Sequence, residues 1–176
     1  MTYGSDLEKL VRAFSISVVL WQEIEWEGEN AKTEHDPHDP GGATKFGVDL
    51  RSHPGLRIED LSFEKAWEIY EKEWADCGAH RLRPSLAFLV FNAGVNIGYR
   101  KAITLLQAAA GVEQDGVIGE KTVEASKEVK DWQFISKWDG YYYGLSIVLR
   151  ERFLEGWVTR VRKAYDAVRF LNNYAP

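Results

Sequence analysis

The chain has 176 residues, 45% of them hydrophobic and 13% aromatic, and a formal net charge of −5. That apolar content supplies the core of a single globular unit, leaves no room for a long disordered segment, and the acidic balance argues against nucleic acid or an anionic membrane surface as partner. The one cysteine, Cys77, excludes an intramolecular disulfide, so the fold does not depend on an oxidising compartment.

At the N-terminal end, Ser5-Asp6-Leu7-Glu8 reads as a capping box. Leu7, Leu10, Val11, Phe14, Val18 and Trp21 follow at helical spacing, which predicts a first helix running to about Trp26, with Gly28 stopping it. The apolar run Val18-Val19-Leu20-Trp21 is too short to span a bilayer. Residues 1–12 lack a basic stretch followed by an apolar segment and a small-residue cleavage site. The expectation is a protein made in the cytoplasm without a signal peptide, which reaches any outside target only after release.

Residues 28–60 hold Pro37, Pro40 and Pro54, many glycines and no helical period, and are expected to form loops with a short hairpin around Thr44 to Val48. Ser62 then caps a helix carrying Phe63, Ala66, Trp67, Tyr70 and Trp74 on one face. Pro84 stands where a helix begins, and Leu86 to Ile97 is apolar nearly all round, which predicts a central buried helix ended by Gly98. A further helix is expected over about Lys101 to Ala110, then a loop from Gly111 to Gly119, then short and long helices from Glu120 to about Asn172. Gly140 and Gly144, in Gly-Tyr-Tyr-Tyr-Gly, suggest close packing within a long helix. The expected class is mainly α with a small β element.

Chemistry concentrates in Trp26-Glu27-Gly28 and in Asp36 through Gly47. A carboxyl at a helix C-terminus meets the negative end of the helix dipole, and Trp26 and Phe46 could add an apolar wall. Both effects hold a proton on Glu27 at neutral pH, as a general acid requires. The same local sequence also fits a solvated glutamate beside Glu23, Glu25 and Glu29. Asp39 and Thr44 can bind and orient an attacking water, or can simply build an Asp-Pro-Gly-Gly turn. The cluster His35-Asp36-His38-Asp39 crowds four possible ligands into a Pro-containing loop, where they converge poorly on one ion, so no metal is expected.

Asn92 and Asn96 stand at i and i+4 on the apolar helix, where they either bond neighbouring helices or line a cleft for a polar ligand. Asp115-Gly116-Val117-Ile118-Gly119 lacks the alternating oxygen ligands of a calcium loop and reads as a turn that inserts Ile118 into the core.

Taken in order, these segments resemble glycoside hydrolase family 108, the bacterial and phage N-acetylmuramidases with a C-terminal peptidoglycan-binding region. Trp26-Glu27-Gly28 and Asp36 through Gly47 are similar to the family's first motif, and Phe91-Asn92-Ala93-Gly94-Val95-Asn96-Ile97-Gly98 to its second. Leu105-Leu106-Gln107, Asp115 through Thr122 and Phe153-Leu154-Glu155-Gly156-Trp157-Val158-Thr159-Arg160 extend the likeness over about residues 10–165. Glu29 and Asn30 replace the family's second glycine and aromatic, and the stretch from Glu27 to Asp39 is longer than usual. Glu23 and Glu25 therefore compete for the catalytic position, and Glu27 is preferred because it alone precedes a glycine.

The resemblance implies a lysozyme-like, two-lobed helical fold. About residues 5–80 would form a catalytic lobe and about 84–165 a helical peptidoglycan-binding-like lobe. It further implies an endolysin-type muramidase that cuts the β-1,4 bond between N-acetylmuramic acid and N-acetylglucosamine, with Glu27 as proton donor and no cofactor. Release to the cell wall would be holin-assisted, and Lys45, Arg51 and Arg57 offer a local basic patch towards an anionic polymer. Two rivals remain: a lytic transglycosylase using the same glutamate, and an inactive relative that binds glycan or a protein partner.

Overall fold

The structure is a computed structural model and describes residues 5–27 and 44–174, with side chains over 6–20 and 44–173. Seven α-helices, two short 3-10 helices (Ile58–Asp60 and Ala79–Arg81) and one small hairpin make up the regular structure of these residues: α1 (Ser5–Glu27), β1 (Thr44–Lys45), β2 (Val48–Asp49), α2 (Phe63–Cys77), α3 (Pro84–Ile97), α4 (Tyr99–Ala110), α5 (Glu120–Ser126), α6 (Asp131–Tyr143) and α7 (Ile147–Tyr174). The expected class, mainly α with a small β element, is the one found.

Helix α3 is the axis of the molecule. Pro84 fits its first turn, where a missing N–H costs nothing. Every residue from Pro84 to Gly94 is buried, because α1, α4, α6 and α7 all pack around it. Gly98, at φ 84°, then turns the chain directly into α4, two residues earlier than the sequence predicts. Gly94 gives the turn room: a Cβ there would fall inside the Tyr99 ring.

The buried seam of α1 runs through Val11, Ser15, Ile16, Val19 and Leu20, and Leu10, expected on the apolar face, is more than half exposed. Ser15 joins the seam by donating its hydroxyl to the Val11 carbonyl at 2.7 Å. Phe14 lies between Phe88 of α3 and Phe170 of α7, with ring centroids 5.6 and 5.8 Å away. Ser62 caps α2 as predicted, accepting from the Lys65 N–H at 3.2 Å, and Gly78 closes it at φ 74°. Its core face is Ala66, Tyr70, Trp74 and Cys77, whereas Phe63 remains exposed.

The loop after α4 is organised by one buried amide. Gln107 Nε2 donates to Asp115 Oδ1 (2.6 Å), the Val117 carbonyl (3.0 Å) and Thr122 Oγ1 (3.1 Å), and its Oε1 accepts from the Gly116 N–H (2.9 Å). Ile118 is buried by this turn, as expected, and packs on the open face of Gly78. The expectation of close packing at Gly140 and Gly144 inside one long helix is corrected. Gly140 has no neighbour within contact of a Cβ, and Gly144 ends α6, its N–H directed at the carbonyls of residues 140–142.

Candidate active site

Glu27 is the last residue of α1, and the final turn of that helix contains no basic residue to neutralise its negative pole. Glu23 and Glu25 belong to the same last turns, and the side chains of all three lie outside the described structure. Asp39 and the His35-Asp36-His38-Asp39 cluster lie outside the described residues.

Thr44 opens the hairpin, opposite Asp49, with Lys45 opposite Val48. The two residues between the strands, Phe46 at φ 54° and Gly47 at φ 75°, both have positive φ, as a type I′ turn demands. Glycine takes that conformation freely; a bulky phenylalanine does so only when its surroundings hold it. Three contacts do. The Tyr70 hydroxyl donates to the Phe46 carbonyl at 2.8 Å, the Phe63 ring meets the Phe46 ring edge-on at 6.2 Å, and Val48 is buried beneath the hairpin. Lys45 Nζ reaches the Glu59 carbonyl at 3.1 Å, and Arg57 pairs with Asp60, so two of the three expected basic residues are engaged locally while Arg51 stands exposed.

Tyr70 links this turn to the second motif, since its ring packs against Phe91 at 6.2 Å. Phe91 in turn contacts Trp74 and Tyr99. Beside Phe91, Asn92 is fully buried within α3. Asn96, half-buried at the end of the helix, accepts from the Tyr142 hydroxyl of α6, and that hydroxyl accepts from Trp138 Nε1 at 3.0 Å. Tyr142 stacks on Trp157 of α7 at 4.9 Å, and burial pushes its phenol up to about 12. The third sequence motif therefore meets the second through one tyrosine.

Sequence reasoning passed over a polar cluster beside the hairpin. Glu73 of α2 accepts from the Tyr99 hydroxyl at 2.7 Å through Oε2, and its Oε1 lies 3.1 Å from His53 Nε2. His53 Nδ1 faces the Asp49 carbonyl at 3.3 Å. Burial raises the Glu73 carboxyl above its ordinary range, against the lowering effect of Tyr99 and His53. Burial, reinforced by the Glu73 charge, holds the Tyr99 phenol well above its ordinary value. The available signal was a carboxylate one residue from the core-facing Trp74, three from Tyr70 and four from Cys77, a position that requires a partner.

The family model described as glycosyl hydrolase 108 matches residues 20–98, from the end of α1 through α3 to Gly98. The chain is also similar to the solved structure of Brucella abortus SagA, with a TM-score of 0.76 and 26% identity over 92% of this chain and 96% of that one. No curated protein matches the sequence.

Proposed function

Since residues 20–98 make this chain a member of the glycosyl hydrolase 108 family, and so a glycoside hydrolase, we propose that it is a lysozyme-type N-acetylmuramidase of peptidoglycan. It cleaves the β-1,4 bond between N-acetylmuramic acid and N-acetylglucosamine. What supports this reading is the family match over residues 20–98 and, within that region, a glutamate that ends α1 and a hairpin that starts at Thr44 and turns through two residues of positive φ.

In this mechanism Glu27 donates its proton to the glycosidic oxygen as positive charge develops on the sugar ring. The helix terminus favours that role, because the dipole disfavours the ionised form of an acid placed there. Glu23 and Glu25, in the same last turns of α1, are the rivals for this role. Asp39 and Thr44 orient the attacking water opposite the acid. Asn96 contributes at the cleft end of α3, and Asn92 supports it from the core. The segment of about residues 5–80 forms the catalytic lobe, and about 84–165 the lobe that grips the glycan.

The test is a zymogram on purified cell wall, wild type beside Glu27→Gln, with mass spectrometry of the released fragments. A hydrolase releases reducing muramic acid ends. An anhydro product, one water lighter, would replace this mechanism by a transglycosylase, and no release at all would replace it by a binding role.

A further inference from the structure

The hairpin is tied to the helices by a cluster whose protons can be counted. The Asp49 carbonyl only accepts, so the His53 Nδ1 that faces it carries a hydrogen. Tyr99 donates its own proton to Glu73 Oε2. Between Glu73 Oε1 and His53 Nε2, at 3.1 Å, there is then place for a single proton. It rests either on the imidazole, which donates to a carboxylate, or on the carboxyl, which donates to a neutral ring. Remove it and two lone pairs face one another across the contact.

We propose that Glu73, His53 and Tyr99 form a one-proton latch that positions the hairpin for catalysis. The latch closes while the shared proton is present and opens when it is lost. His53 holds Asp49, and Asp49 is the cross-strand partner of Thr44, so opening is transmitted directly to the residue assigned to water positioning. The proposal rests on the muramidase reading for its catalytic consequence, but not for the latch itself.

The charged and titratable surroundings leave the pair in control. From the hairpin side Asp49 and His53 face Glu73, from α4 Tyr99 does, and Lys72 and Cys77 neighbour it on its own helix. Among the described residues of α1, Glu8 accepts from Trp74 Nε1 and Arg12 pairs with Glu71. Tyr99 is fixed in turn by the space that Gly94 leaves open, so the latch is seated on the second family motif.

Amide hydrogen exchange over residues 44–53, corrected for intrinsic rates, tests the latch on the full chain without substrate. Wild-type protection should fall about tenfold as pH rises from about 5 to about 9, the size of one hydrogen bond to a charged group. Glu73→Gln should remove this dependence, because its amide can turn to offer its carbonyl to a ring N–H or its N–H to a bare ring nitrogen, with the Tyr99 hydroxyl donating to or accepting from the other end. His53→Gln, at a partly exposed position, removes it as well by donating to the carboxylate, and serves if the first variant does not fold. The same pH dependence in wild type and variants overturns the proposal.

On peptidoglycan, wild-type kcat should fall along the same alkaline limb with KM unchanged, and that limb should vanish in the variants. Its persistence in them would remove the positioning role. A wild-type protein inactive on peptidoglycan at every pH would instead overturn the substrate reading, and the exchange data would still decide the latch.

Discussion

At Glu27, the proposed general acid, a change of one atom tests chemistry against architecture. Glu27→Gln keeps size and hydrogen bonding and removes the transferable proton, so lysis should fall roughly 10²-fold or more, with an unchanged circular dichroism spectrum. A collapse in Glu23→Gln with Glu27→Gln active would shift the assignment by one helical turn. Thr44→Val removes a hydroxyl at nearly constant shape; turnover should fall while the melting temperature holds. Tyr70 carries the opposite signature. Tyr70→Phe deletes the hydrogen bond that holds the Phe46 carbonyl, and should cost about 1 kcal/mol of stability in denaturant unfolding, as well as hairpin order.

Among the elements, the junction between α3 and α4 is the most exacting. Gly94→Ala sets a methyl group inside the Tyr99 ring, and Tyr99 has Phe91 on one side and Glu73 on the other. Overpacking of this kind should cost about 1–3 kcal/mol, read from the denaturation midpoint, and should weaken hairpin protection at a distance. This junction also marks the limit of what the sequence discloses. The helices were legible because Ser62, Pro84, Gly98 and Gly111 punctuate them by local backbone preference, and α3 because its apolar surface has no polar side. The seam of α1 was misread at Leu10, since an apolar residue off the core costs little and carries no signal of its own. The contact of Glu73 with His53 and Tyr99 joins positions 20 and 26 residues away along the chain, which no local pattern encodes. Asn96 was legible as a polar residue in need of a partner, and Tyr142 as that partner was not.

For the molecule as a whole, buried acids set the alkaline limit. Burial moves the Cys77 thiol from 9.0 up to about 12 and the Tyr142 phenol from 10.0 up to about 12, and Tyr99 shifts in the same direction. The unfolded chain releases these protons first, so the folded state is fully favoured below the ordinary values and loses ground as pH rises through the raised ones. Stability should therefore decline from about pH 9 upward. Cys77→Ala should flatten the first part of that decline, as measured by urea midpoints at successive pH values, with a small uniform loss from the missing sulfur.

The stacking of Phe14 on Phe170 has a consequence in time. A ribosome delivers α1 first, yet one side of its Phe14 ring stays bare until residue 170 has left the exit tunnel and α7 can fold back. Throughout synthesis, then, the helix that bears Glu27 lacks this aromatic partner. Arresting translation before α7 is complete should give chains that bind a hydrophobic dye and do not lyse cell wall, whereas release of the finished chain should restore both compactness and lysis.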